Sequence, residues 1–142
     1  MILSEFKKLL LSKTISRKTL PDDINLEERV YTALKEVAMD TVPLRLVVQN
    51  PVGHSIMRRV DSLTYIRFPN MPINNDSDID IDMFLLDAVA LYVIAGLEKE
   101  KASVYMGMYW KIITENDTRL CETYLATATN ENGYDDASKY FA

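Results

Sequence analysis

The stretch IDMFLLDAVALYVIAGL, residues 81–97, decides the fold. Its only charges are Asp82 and Asp87, and apolar residues fill almost every other position. Wound at 3.6 residues per turn, such a segment is apolar nearly all round, whereas a helix lying on a surface shows a single apolar stripe. The stretch therefore predicts a helix over Ile81–Leu97 at the buried centre of a domain, or one covered on several sides by copies of the same chain. The two aspartates interrupt it too early for a membrane span, and no other apolar run is longer. Asp78 or Asp80 is predicted to cap its start.

Downstream, Gly96 and the charged run Glu98-Lys99-Glu100-Lys101 mark a short turn. A second helix is predicted from Ala102 to about Leu120, with Ala102, Tyr105, Met106, Tyr109, Ile112 and Ile113 as its apolar stripe and Trp110 off its centre. Two helices joined so briefly form an antiparallel hairpin. From Cys121 the pattern fades, and residues 121–142 read as an extended C-terminal arm without a core of its own. Its Tyr124, Tyr134, Tyr140 and Phe141 are large enough to need a dock on a neighbouring protein.

Upstream, residues 44–48 (LRLVV) read as a short strand and 56–68 (IMRRVDSLTYIRF) as one extended strand or two short ones, separated by a turn at Gln49–Gly53 and ended by Pro69 and Pro72. Before them, Leu26 to Thr41 predicts a helix capped by Asn25, with Glu27 and Glu28 in its first turn and Leu26, Val30, Leu34, Val37 and Ala38 on one face. Residues 2–12 allow a short amphipathic helix, and 13–25 read as a polar linker. The fold class that follows is mainly α: a bundle of three to four helices with a protruding short β-hairpin or strands and the C-terminal arm. The division is a basic N-terminal segment and linker over 1–25, a helical domain over 26–120 with a strand insertion at about 44–68, and the arm over 121–142.

With 142 residues the chain is long enough for one real core. The net charge of −5 argues against nucleic acid as a main partner. That charge is uneven, basic over the first twenty residues and acidic over the last twenty-eight, so that head and tail can pair between neighbouring copies. A single cysteine, Cys121, excludes an intrachain disulfide and gives no sign of an oxidising compartment.

Catalytic signals are sparse. The one histidine, His54, stands beside Ser55 in a turn, and adjacency in sequence is not the geometry of a triad. Four scattered glycines form no phosphate loop. The alternating Asp76, Asp78, Asp80 and Asp82 are the one cluster reminiscent of a hard-cation site, though a mid-loop glycine and a terminal glutamate are missing; helix capping accounts for them. No catalytic, cofactor or metal residues are nominated. Arg45, Arg58, Arg59 and Arg67 gather on the strands and are expected to face a partner, as are Tyr124, Tyr134, Tyr140 and Phe141 in the arm.

From Tyr65 to Leu120 the order is Tyr-Ile-Arg-Phe-Pro, an acidic spacer over 76–82, a helix holding Leu86-Asp87-Ala88-Val89-Ala90-Leu91, and a helix with Tyr105, Tyr109 and Trp110. This resembles the head-to-tail adaptor (connector) proteins of tailed bacteriophages, and the helix over Leu26–Thr41 fits the same pattern. The resemblance covers about two-thirds of the chain; the basic N-terminal stretch and the long polar tail depart from it. It implies a structural, non-catalytic subunit of a virion neck, assembled in the host cytoplasm. It implies a ring of twelve copies that contacts the portal protein and a tail or nozzle protein, with DNA passing through the channel and touched, if at all, without sequence specificity. No membrane and no cofactor are expected. The competing expectations are a small regulatory or scaffolding helical binding module and, with less support, a metal-dependent hydrolase using Asp76–Asp82.

Overall fold

The computed structural model describes residues 1–15, 19–21 and 24–132, the last eleven as backbone alone. Helix α1 (Leu3–Lys13) leads into α2 (Leu26–Asp40), followed by a 3-10 turn at Leu44–Leu46 and strands β1 (Val47–Val48), β2 (Ile56–Arg59) and β3 (Tyr65–Arg67). A second 3-10 turn, Met83–Leu85, opens α3 (Leu86–Leu97), and a third, Lys99–Lys101, leads into α4 (Ala102–Asn132). The architecture is thus mainly helical, with a small antiparallel sheet, as the patterning predicts.

Helix α3 is the centre. Leu86, Ala88, Val89, Ala90, Leu91, Val93, Ile94 and Ala95 are all buried, and α1, α2 and α4 all pack against α3. Burying large aliphatic side chains contributes roughly 1.5–3 kcal/mol each. From α2 come Leu26, Val30, Ala33, Leu34 and Val37; from α4 come Tyr105, Tyr109 and Ile113. Asn25 caps α2 as predicted, its Oδ1 accepting from the Glu28 amide at 3.2 Å.

Helix α1 belongs to the same core. Leu3, Phe6 and Leu10, spaced three and four apart, are fully buried. The amides of Leu3 and Ser4 donate to the carbonyls of Ser77 and Asn75, so the acidic spacer satisfies donors that a helix start leaves orphaned. The linker is tied down too: the Ile15 amide donates to the Tyr105 hydroxyl at 3.1 Å, and Thr14 Oγ1 donates to Glu98.

The sheet has the order β1-β3-β2, with Val47 opposite Ile66 and Arg59 opposite Tyr65. A bulge between Ile56 and Arg58 shifts the register, which sharpens the local twist. Beneath it Ala38, Leu46 and Ile66 form a small second core.

Three boundaries differ from the sequence expectation. Residues 44–46 form a 3-10 turn rather than a strand, because the Asp82 carboxylate accepts from the Leu44 and Arg45 amides at 2.7 and 2.6 Å and holds both donors on one side. The central α-helix begins at Leu86 rather than Ile81, and neither Asp78 nor Asp80 caps it. Helix α4 runs on to Asn132, twelve residues past the predicted end at Leu120.

Candidate protein-interaction surface

Of the arginines nominated from the sequence, Arg45 and Arg67 meet the aspartates Asp78 and Asp80 where the sheet joins the helices. Asp80, with only 5% of its side chain exposed, takes Nη1 of Arg67 on Oδ2 at 2.6 Å and Nη2 on Oδ1 at 3.0 Å. Arg45 Nε lies 3.1 Å from Asp80 Oδ1, and the Asn70 amide donates to Oδ2 at 2.8 Å. Burial alone would raise the Asp80 carboxyl, but the hydrogen bonds from Arg67 and Asn70, with the charges of Arg67 and Arg45, hold it below its ordinary value. Arg67 is raised in return, chiefly by its hydrogen bond to Asp80.

Asp78 pairs with Arg45 and with the Met1 ammonium at 3.1 Å, and its carboxyl is lowered, first by the Arg45 hydrogen bond. Asp82 holds the 3-10 turn, and the Asp76 amide donates to Asn74 Oδ1 at 2.9 Å. Asp78, Asp80 and Asp82 therefore staple segments distant in sequence instead of capping α3. Among the described residues, no three His, Cys, Asp or Glu side chains are grouped to hold a metal ion.

The four arginines divide. Arg58 turns inward, donating from Nε to the Ala38 carbonyl and from Nη2 to the Thr41 carbonyl, both at 2.8 Å. These carbonyls lie at the negative end of α2, where a cation is favoured. Burial lowers the Arg58 guanidinium from its ordinary value, against the charges of Asp117 and Asp40. Arg67 is spent on Asp80. Arg45, 45% exposed, and Arg59, whose guanidinium lies 5.9 Å from the Tyr65 ring centre, remain at the surface. Tyr124 falls where only the backbone is described, and Tyr134, Tyr140 and Phe141 lie outside the described residues. His54 is exposed in its turn, and Cys121 is partly exposed.

What the sequence reading missed is apolar. Met83 is 84% exposed, Leu44 54% and Phe84 38%. The Arg119 guanidinium stacks on Phe84 at 3.9 Å, and a cleft of about 300 Å³ beside them is lined by Leu44, Asp82, Phe84, Asn116, Arg119 and Leu120. On α4, Val104, Met108 and Trp110 are each about half exposed. A break in the predicted helix, which leaves Met83 and Phe84 in a 3-10 turn outside it, was the missing signal for the first group. No helix among the described residues is long and apolar enough to cross a membrane.

Comparison of the chain with protein-family models, with curated proteins and with solved structures returned no match.

Proposed function

We propose that the protein is a structural subunit of a phage neck, a ring component that joins portal to tail by protein–protein contacts and performs no catalysis. The observation that supports this most directly is the exposure of large apolar side chains on two separate elements, Leu44, Met83 and Phe84 at the sheet–helix junction and Val104, Met108 and Trp110 on α4. Different patches on one molecule suit heterologous contacts, which close into rings when the rotation allows. Scattered apolar residues are ordinary on a monomer; grouped ones mark contact surfaces. The resemblance over Tyr65–Leu120 supplies the rest of the reading: twelve copies, a portal above and a tail or nozzle protein below. The test is the native mass of the purified chain, alone and mixed with a candidate portal. A closed ring in either sample is the expected result. A chain that stays monomeric in both belongs instead with small helical binding modules.

A further inference from the structure

A cleft and a knob on opposite flanks of α4 each hold a polar atom without a partner. The cleft is the one of about 300 Å³ beside Phe84. Asn116 lines it and is only 6% exposed. Its Nδ2 donates to Thr41 Oγ1 at 2.9 Å and to the Val42 carbonyl at 3.4 Å. Thr41 Oγ1 gives its own proton to Asp117, so both neighbours of Nδ2 are acceptors, which fixes the orientation of the amide. Oδ1 is then what Asn116 has left for the cleft, and among the described residues nothing donates to it. A buried acceptor without a donor is costly. The apolar walls are Leu44, Leu120 and Phe84, the last with the Arg119 guanidinium stacked on its ring. Among the described residues the charges in the lining are Asp82 and Arg119, which balance, so an occupant with a net charge gains nothing there. The cleft therefore calls for an uncharged, largely apolar side chain that carries a donor. Indole is such a group, since its N–H donates and its ring is apolar. The chain's single tryptophan, Trp110, is 48% exposed on α4, and its Nε1 has no acceptor among the described residues.

We infer that the Phe84–Asn116 cleft of one copy receives Trp110 of a second copy of this chain, whose indole N–H donates to Asn116 Oδ1. The ring then lies among Leu44, Phe84 and Leu120. The occupant must come from another copy. Positions 110 and 119 are two and a half turns apart on one continuous helix, which puts them on opposite flanks and about 13.5 Å apart along the axis, so a chain cannot fill its own cleft. A tryptophan seated in a desolvated pocket is the kind of anchor that carries most of the energy of a protein interface. Because knob and cleft are different surfaces, the contact is heterologous and repeats from copy to copy. This inference rests on the ring reading and deepens it by naming the residues that join neighbours.

The experiment blocks each surface in turn in the full chain. Leu44→Glu sets a carboxylate in the cleft with Arg119 and leaves the knob intact; Trp110→Ala removes the knob and leaves the cleft intact. Leu44 and Trp110 are both about half exposed, and circular dichroism melts check that each variant folds like the parent. By sedimentation velocity over a concentration series, the parent is expected to associate and each variant alone to be a monomer. Their mixture is expected to double the monomer mass and go no further, since one intact cleft meets one intact knob. Trp110→Phe keeps a ring but loses the N–H, and is expected to associate at least about tenfold more weakly than the parent, because Oδ1 stays without a donor. Equal association of Trp110→Phe and the parent overturns the inference. A symmetric contact of Trp110 on Trp110 predicts that Leu44→Glu still pairs with itself, and that result overturns it too. If the parent and all variants form rings alike, the ring reading stands and this contact falls. A parent that is monomeric throughout the series overturns this contact, and the portal mixture then decides the ring reading separately.

Discussion

Arg67 and Asp80 form a two-pronged ion pair, 2.6 and 3.0 Å, that ties the last strand of the sheet to the segment entering the central helix. Asp80 is almost wholly buried, and Arg67 is only 20% exposed, so water is a poor substitute partner for the carboxylate. Asp80→Ala would strand the Arg67 guanidinium and leave the Asn70 amide without its acceptor. A loss of about 3 kcal/mol is expected, read as a lower urea midpoint with unchanged slope. An unmoved midpoint would show that the staple does not hold the sheet.

The same carboxylates set the acid limit of stability. Asp78 and Asp80 both titrate below their ordinary values in the fold. A depressed folded value means that the contribution is fully present above the unfolded carboxylate range near 4 and is lost as pH falls through the folded values. Stability should therefore fall on acidification below about pH 4, and Asp80→Asn should flatten that fall, because the variant has less to lose. Melts of both chains between neutral and acid pH measure the difference.

Much of the helical frame was legible because its signals are local. Asn25 and the 26-30-34-37 spacing mark α2 within its own fifteen residues, and the apolar composition of 83–95, interrupted only by Asp87, marks α3. The aspartates were not legible, because their partners are distant: Asp82 meets amides 37 and 38 positions away, and Asp78 meets Arg45 across 33. A capping residue and a stapling residue look alike until the topology brings the arginines in. The inward turn of Arg58 was not legible for the same reason, as it is held by carbonyls of α2 that only the folded sheet reaches. The far half of α4 was read as an arm because Thr123, Thr127 and Thr129 carry weak helix propensity, which is a poor guide once a helix is already nucleated.

Three of the eight tyrosines should ionise late. Burial is the leading cause for Tyr92, Tyr105 and Tyr109, reinforced in Tyr105 by its hydrogen bond to Glu98 and in Tyr109 by the 2.7 Å hydrogen bond to Asp40. A phenol raised above its unfolded value stabilises the fold fully below about pH 10, and that contribution is lost as pH rises toward the folded value. Ultraviolet titration should show these three ionising only as the near-ultraviolet circular dichroism collapses. Tyr109→Phe should remove one late proton and cost about 1 kcal/mol.

Leu91 is 1% exposed in the middle of α3, with helices packed on several sides. Leu91→Asp would bury an unpaired carboxylate and is expected to cost on the order of 3–5 kcal/mol. Thermal unfolding of the variant reads this directly; a melting midpoint equal to the parent's would remove α3 from the centre of the fold.

Trp110 offers a probe of assembly that requires no label, since it is the chain's single tryptophan and is 48% exposed. Its ring meets Tyr109 edge-on at 5.3 Å between centroids. An indole in that position emits as a wet one in the monomer. If a neighbouring copy covers this exposed face of α4, the emission maximum should move to shorter wavelength as concentration rises, in step with the sedimenting mass. Acrylamide quenching should fall over the same range. Mass that grows while the emission stays fixed would place the subunit contact elsewhere, with the sheet–helix junction at Leu44, Met83 and Phe84 as a second exposed apolar surface to test.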